Sequence, residues 1–496
     1  MRRVRPLVAC LSVALVGLPL ASVEAAVLPV TNCLDDFGPG TLRSVVDSAV
    51  DGDVVDLTGL DCDLITLTQG PIDTSLVSPH PLDKLTIQGP GRDQLTISGG
   101  GKSLIFVVGG EHFSAENVFT LNDVSVADGI NYGSIFNESA ACLFGLRGTM
   151  ILNRLRVTDC HSIFEGGASG GGAIAADYLL RISDSIISNS SITAIGGNVA
   201  AGGGAFVGGK MIVVNSTISG NRVVAGFGAE QYGGFLQTGG GGLYTPGDLT
   251  LINSTVTGNS VEATGSGEDA RGGGVFVRRT ATISGSTIDS NTADGDGGGL
   301  FKVFSSYYVD ETTLSISNST VSGNVAGGAG GAIASQRATR IANSTVASNV
   351  SGSGGAVMFR LDGLYPGTAP LELESTIIGE NRSGSEAVFA ADLATDGLLT
   401  ITGGGNLVVS AGASLVLPAD TLFANPRLLP LADNGGPTRT HALAADSPAI
   451  NHGNNAAALA FDQRGEGYPR ESGGRTDIGA FEVQLGDAVF ADGFEP

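Results

Sequence analysis

Nine turn-type positions recur through the middle of the chain at almost constant spacing, and this period leaves little freedom in how the chain can fold. They are Asp123, Arg154, Asp184, Asn215, Asn253, Gly285, Asn318, Asn343 and Ser375, separated by 31, 30, 31, 38, 32, 33, 25 and 32 residues. Each has an apolar residue two before it, as at Val213, Leu251, Ile283, Ile316 and Ile341, and another three after it, as at Ile218, Val256, Ile288, Val321 and Val346. A separation of five is odd, so a straight strand would send the two to opposite faces. Both point inward only if the chain bends between them, and Asn, Asp, Ser and Gly tolerate the left-handed conformation that such a bend needs. The unit therefore reads as strand, bend, strand.

A second signal keeps step with the first. Paired glycines followed by apolar residues end at Gly172, Gly204, Gly242, Gly274, Gly299, Gly331 and Gly355. They predict a third strand per coil, entered through a glycine corner. A repeat of this length built from short β segments without helical periodicity predicts an all-β parallel β-helix. At about 4.8 Å per coil, nine clear coils would stack to a length on the order of 40 Å. The 77 glycines and the absence of tryptophan fit corners in register better than disorder. The aromatic row Phe206, Tyr244, Phe276 and Phe301 is expected to stack inside the core.

Arg2, Arg3 and Arg5 precede an apolar run at 7–20 and a small-residue site ending at Ala25, the pattern of a secretory signal peptide. Leu7-Val8-Ala9-Cys10 also fits a lipoprotein box, but the apolar run continues past Cys10, which favours cleavage after Ala25. The remainder carries 23 basic and 48 acidic side chains. Such a balance excludes nucleic acid and anionic membranes as partners, and no transmembrane segment is expected in the mature chain. Four cysteines remain, and two disulfides, Cys33 to Cys62 and Cys142 to Cys160, are the simplest pairing in an oxidising compartment.

An open solenoid needs caps. Residues 41–50 read as a short amphipathic helix before a first strand at 54–57, and the Pro-, Gly- and Asn-rich chain from Asn425 reads as a C-terminal cap. Asp36-Phe37-Gly38-Pro39-Gly40-Thr41-Leu42-Arg43 followed by Gly52-Asp53 resembles the opening of exported bacterial CSLREA domain proteins. The stretch Leu431-Ala432-Asp433-Asn434-Gly435-Gly436-Pro437-Thr438, with Asp446-Ser447-Pro448-Ala449-Ile450 and Asp477-Ile478-Gly479-Ala480-Phe481-Glu482, is similar to the choice-of-anchor Q domain. The central coils resemble polymorphic outer-membrane protein repeats, with Ile218 to Asn221 and Val256 to Asn259 in place of their Phe-x-x-Asn. The resemblance implies a right-handed parallel β-helix at the bacterial surface or outside the cell, without an assigned chemistry. A C-terminal β-barrel like that of the outer-membrane proteins is not evident, and residues 489–496 look like short tails on exported Gram-negative proteins. The expected organisation is a signal peptide at 1–25, N-terminal cap and first coils at 26–110, repeats at 111–410, a C-terminal cap at 411–484 and a tail at 485–496.

The Asn-Ser-Thr triplets at Asn215, Asn253, Asn318 and Asn343 match an N-glycosylation pattern. Because they recur in phase, they are read instead as a ladder of asparagines stacked along the axis. Gly204 to Lys210 fits part of a phosphate-binding loop, but its glycines belong to the coil corner. Asp294 and Asp296 make calcium the one candidate cofactor, yet two carboxylates are too few for a site. The Asn-Thr-Asp, Asp-Asp and Gly-His-Gly blocks of pectin hydrolases do not occur in the repeat. Arg278, Arg279 and Lys302 would be the bases available to a lyase, and are read as edge charges that discourage strand addition. His441 and His452 are assigned to the cap.

One irregularity remains. From paired glycine to bend is 11 or 12 residues in five coils, but 19 from Gly299 to Asn318 and 20 from Gly355 to Ser375. Two insertions thus leave the same corner, bearing Phe304, Tyr307, Tyr308, Asp310 and Glu311 in one, and Leu364 and Tyr365 in the other. Aromatic loops on a rigid scaffold are where binding usually sits. The expected function is a secreted or cell-surface scaffold for adhesion or glycan contact, with a polysaccharide or surface protein as partner. The alternative is a polysaccharide lyase or glycoside hydrolase acting near residues 302–312 and 360–369.

Overall fold

The computed structural model describes residues 25–76, 82–109, 117–134, 140–146, 148–165, 168–195, 199–225, 237–264, 270–303, 312–361, 369–384 and 392–485. The signal segment before Ala25 and the tail beyond Leu485 lie outside these residues. The chain is an all-β parallel β-helix whose described residues form one short α-helix, one 3-10 turn and four long parallel sheets of 13, 12, 9 and 11 strands. One coil shows the plan. Lys210–Val214 belongs to the first sheet, Thr217–Ser219 to the second, Arg222–Ala225 to the third and Leu243–Thr245 to the fourth. Each pairs with its equivalent one coil on, for instance Val213 with Leu251 and Ile218 with Val256. The coil therefore has four strands where three were expected. The third sheet escaped notice because strands such as Arg222–Ala225 and Ser260–Ala263 bury few side chains and no glycine pair marks their entry.

All nine bend positions adopt left-handed backbone, with φ between 45° at Asn343 and 60° at Gly285. This turn joins the first and second sheets and brings apolar residues on both sides of it into the core, where Val213, Ile218, Leu251 and Val256 are all fully buried.

The asparagine ladder is real but occupies a different column. The side chains of Asn215, Asn253, Asn318 and Asn343 turn away from the core at the bend. Asn215 donates to Asp184 Oδ1 at 3.2 Å, whereas Asn318 and Asn343 donate to the carbonyls of Phe461 and Asn454 in the C-terminal segment. The buried ladder stands six residues later, at the turn into the third sheet. Its rungs are Asn221 to Asn259 at 3.0 Å, then Asn291, Asn324, Asn349 and Asn381 at 2.9 Å each. Each Oδ1 also accepts the backbone N–H of the preceding rung, and each Nδ2 also donates to a carbonyl of an earlier coil, such as Val256 O from Asn291. Asp392 ends the column, its Oδ1 accepting from Asn381 at 2.9 Å. In the triplets the serine is the structural residue: Ser216 N donates to Ser254 Oγ, Ser254 N to Ser286 Oγ and Ser286 N to Ser319 Oγ.

This column accounts for one corner glycine in each of four coils, Gly204, Gly242, Gly274 and Gly299, while Ala332 and Ala356 take the same place in the next two. A Cβ added to Gly242 or Gly274 would lie 3.1 or 3.0 Å from the side-chain amide of Asn259 or Asn291, and 2.8 or 2.7 Å from a carbonyl of the next coil. The corner and the ladder face each other across the narrow end of the coil with no room between them. One coil uses a different device at the same place: Cys142 stands at the corner, Cys160 in the ladder column, and the two form a disulfide. A second disulfide joins Cys33 to Cys62 near the N-terminus.

The N-terminal end is closed by the helix Leu42–Ser48, whose first turn is capped by Thr41 and whose Leu42, Val45 and Val46 join the core. Behind it Arg43 donates from Nε and Nη2 to the buried carboxylate of Asp35, and reaches the carbonyls of Pro71 and Gly70. The C-terminal part does two jobs where one cap was expected. Ala411 and Leu422 bridge to Leu393 and Leu407 of the last coil, and Leu415 and Leu417 pack on the end of the core as a plug. From about residue 425 the chain runs back along the outside of the second sheet as a clasp. Ser375 Oγ contacts Asp477 O, Thr345 Oγ1 accepts from Ala480 N, Thr320 Oγ1 donates to Gln463 Oε1, Ser322 meets His441 Nε2, Thr287 Oγ1 donates to Arg439 O and Thr438 Oγ1 to Gly285 O. The outward side chains of this sheet are half-exposed in Thr217–Ser219 and Thr255–Thr257, but buried in Thr287–Asp289, Thr320–Ser322 and Thr345–Ala347. Within the clasp, Arg464 pairs with Asp462 and lies between the rings of Tyr468 and Phe481, 3.9 and 3.8 Å from their centroids.

Losing one rung strands several buried groups, each at about 1–3 kcal/mol. Asn291→Ala should therefore destabilise the protein by roughly 3 kcal/mol or more in thermal unfolding. Asn253→Gly, which preserves the bend, should stay within about 0.5 kcal/mol of the parent. Equal effects would remove the ladder from its central place.

Candidate functional site at the corner between the fourth and first sheets

Residues Phe304, Tyr307, Tyr308, Asp310, Glu311, Leu364 and Tyr365 lie outside the described residues, but the stems of both insertions are described. They leave from the turn that carries the chain from the fourth sheet into the first, after Leu300–Lys302 and after Val357–Phe359. This turn is basic. Arg278 and Arg279 follow Val275–Val277, Lys302 ends the next strand, Arg337 follows Ile333–Ser335 and Arg360 follows Val357–Phe359. Five of the 26 basic residues of a chain with net charge −23 thus share one corner of four successive coils. Asp248 and Asp396 occupy the same turn in the coils on either side. Arg279 lies 3.7 Å from Asp248, and Arg360 is 4.0 Å from Asp396 and 3.0 Å from Asp296.

The reading of Arg278, Arg279 and Lys302 as edge charges does not hold for two of them. Arg278 is buried, and Lys302 has no exposed surface at all. Its strand position is that of Val277 and Phe359, which point into the core, so the ammonium group lies at the inner wall of the coil. There it donates to Arg278 O at 2.7 Å, Val303 O at 3.1 Å and Thr312 Oγ1 at 3.5 Å. Burial, aided by nearby Arg337 and opposed by Asp248, lowers its pKa to about 7. A nearly neutral lysine beside a loop is what a lyase base looks like chemically. This one is enclosed and donates to the protein itself, so it holds the turn from which the first insertion springs.

Asp294 and Asp296 are likewise used internally. Asp294 Oδ2 accepts from Ala263 N at 3.0 Å, while Asp296 accepts from Ala329 N at 2.7 Å and pairs with Arg360. Among the described residues no group of three or more His, Cys, Asp or Glu side chains could hold a metal ion. The aromatic row is also placed differently from expectation. Leu243, Val275 and Leu300 fill the core, so their neighbours Tyr244, Phe276 and Phe301 point outward from it. They are buried nonetheless, stacked with Phe206 at centroid spacings of 5.6, 4.5 and 5.3 Å under the segments that approach the fourth sheet. A Cβ on Gly170 or Gly239 would strike Phe206 or Phe276 at 2.4 or 2.6 Å. Arg271 lies over Phe301, 5.2 Å from its centroid. The row is a second core, sealed against sugar rings.

The outer face of the first sheet offers little chemistry. Its central row reads Thr86, Thr120, Ile151, Arg181, Ile212, Thr250, Thr282, Ser315, Arg340, Glu372 and Thr402, with one ion pair, Arg340 to Glu372 at 3.0 Å. No pair of carboxylates converges there among the described residues. A shallow, open crevice lies between Asp83, Asn117, Phe119 and Met150, at the same corner but several coils toward the N-terminus.

No family model matches the chain, and no curated protein matches it. Among solved structures, the chain is similar to the one titled "Crystal structure of pectate lyase Pel9A", with a TM-score of 0.39 and 12% identity over 92% of this chain and 96% of that one.

The sign of the Lys302 effect is unusual. Between about pH 7 and 10 the unfolded chain keeps a proton there that the folded protein has lost, so folding stability rises with pH across that window. Melting temperatures of the parent from pH 6 to 9 should show this rise relative to Lys302→Met, which lacks the group. Parallel curves would mean that the lysine is charged in place.

Proposed function

We propose that this chain is an exported, non-catalytic β-helix scaffold that binds an acidic polysaccharide along the basic corner. The observation that carries the reading is the column formed by Arg279, Arg337 and Arg360 beside the stems of both insertions. Arg337 and Arg360 stand one coil apart and Arg279 two coils before Arg337, so at about 4.8 Å per coil the column presents charge at intervals of roughly 5 and 10 Å, within reach of successive charges on an extended chain. Carboxylates along a polyuronate would meet that column, while the acidic remainder of the surface repels them. The sequence of the two insertions that leave this corner includes Tyr307, Tyr308 and Tyr365, and aromatic side chains of this kind are suited to sugar rings.

The export signal, two disulfides and the resemblance to CSLREA and choice-of-anchor Q domain proteins support a secreted or cell-surface location. The clasp assigns the choice-of-anchor-like motifs a structural task. Thr438, Asp477 and Glu482 are buried in it or against the coils, which leaves the opposite corner for partners. A lyase reading would need a base that reaches substrate, and Lys302 does not reach the surface.

Retention should be measured by affinity electrophoresis in gels containing polygalacturonate, alginate or a neutral glucan. The protein is expected to be slowed by an acidic gel only, and less so as salt rises. Arg279→Gln with Arg337→Gln should weaken retention by about tenfold at unchanged melting temperature. New reducing ends or unsaturated uronate would overturn the non-catalytic reading. Equal retention in neutral gels would remove the basic column from it.

A further inference from the structure

The four sheets do not end alike. At the C-terminal end the plug bridges to Leu393 of the fourth sheet and Leu407 of the second. The last strand of the first sheet, Leu399–Gly404, pairs over six residues with Ala369–Glu374, and no described strand or bridge pairs its other edge. Such an edge is a template for another strand unless lysine, proline, a bulge or brevity guards it. The opposite end of this sheet is guarded, since Val27–Pro29 is three residues long and ends in proline. Leu399–Gly404 is six residues long with no lysine or proline, and only its end departs from a plain edge, where Gly403 has φ 104° and Gly404 O accepts from Asn454 Nδ2 at 3.3 Å.

The core is also unfinished at this point. Ile401 lies in register with Leu371, which is fully buried, yet Ile401 and Leu399 are only partly covered. Leu398 and Val416 remain 74% and 82% exposed at the same end. An added strand with apolar residues at alternate positions would complete the burial of this row. Charge narrows the occupant further. No Lys or Arg occurs between Arg382 and Arg427, whereas Glu374 borders Gly403 and Asp420 accepts from Gly405 N at 2.7 Å. Asp396 precedes the strand. The tail at 486–496 carries Asp487, Asp492 and Glu495 with no base, and a second copy would bring the same acids, so both meet like charge.

We propose that Leu399–Gly404 is a strand-addition site for an extended segment of a partner protein, apolar at alternate positions and flanked by basic residues. Two synthetic peptides with one alternating Thr-Val core, flanked by lysines or by glutamates, test this on the whole mature protein by fluorescence anisotropy and hydrogen exchange. The lysine-flanked peptide should bind about tenfold tighter or more and slow exchange at 399–404. Thr402→Lys, at an exposed position, should abolish both effects with an unchanged melting temperature. Equal affinity for the two peptides, binding that survives Thr402→Lys, or protection elsewhere would overturn the proposal. So would faster exchange at 399–404 on removing 486–496, which would place the tail there. A doubled sedimentation mass lost in Thr402→Lys would assign the edge to a second copy, with the same consequence.

Discussion

The column of amides from Asn221 to Asn381 holds the coils at one spacing and in one register. Every rung is both donor and acceptor to its neighbour, so a coil that slipped by one residue would bury several polar groups without partners, each at about 1–3 kcal/mol. The corner opposite leaves little room for a side chain, because the amides stand close to where a Cβ would lie. It is glycine at Gly204, Gly242, Gly274 and Gly299 and no larger than alanine at Ala332 and Ala356, so part of the glycine-rich composition serves a hydrogen-bond network rather than flexibility.

Much of the architecture was legible because it is periodic. The bends were found by their spacing, and each proved left-handed, including Arg154, the least typical residue for that conformation. The ladder was misplaced by six residues for a physical reason. Asn215 and Asn221 recur with the same period, and only the direction of the side chain at a left-handed bend tells which faces the core. A signal that could have chosen correctly was the asparagine 17 residues after a glycine corner in three coils, from Gly204 to Asn221, Gly242 to Asn259 and Gly274 to Asn291. The outward direction of the aromatic row failed for a similar reason, since alternation along a three-residue strand cannot say which of two cores a ring enters.

The candidate site was only partly legible. The lengths of two insertions drew attention to this corner, and the full charge at their stems came to light only when residues 58 and 82 positions apart, Arg279 with Arg337 and Arg278 with Arg360, proved to share it. The placement of Lys302 in the core could not be read from a sequence in which it looks like any surface cation. Its cost is tolerated because the turn supplies acceptors that a shorter corner would lack.

The clasp changes how such a molecule comes apart. In a plain solenoid each coil feels only its neighbours, and melting can begin at either end and travel. Here one segment is bonded to Gly285, Thr287, Thr320, Thr345 and Ser375 at once, which ties four successive coils together, the first directly to the fourth. The C-terminal half is thereby made a single cooperative unit. The coils from Ile186 to Thr257, beyond the reach of the clasp and past the Cys142 to Cys160 bond, are left as the segment in which the molecule can flex or yield under load.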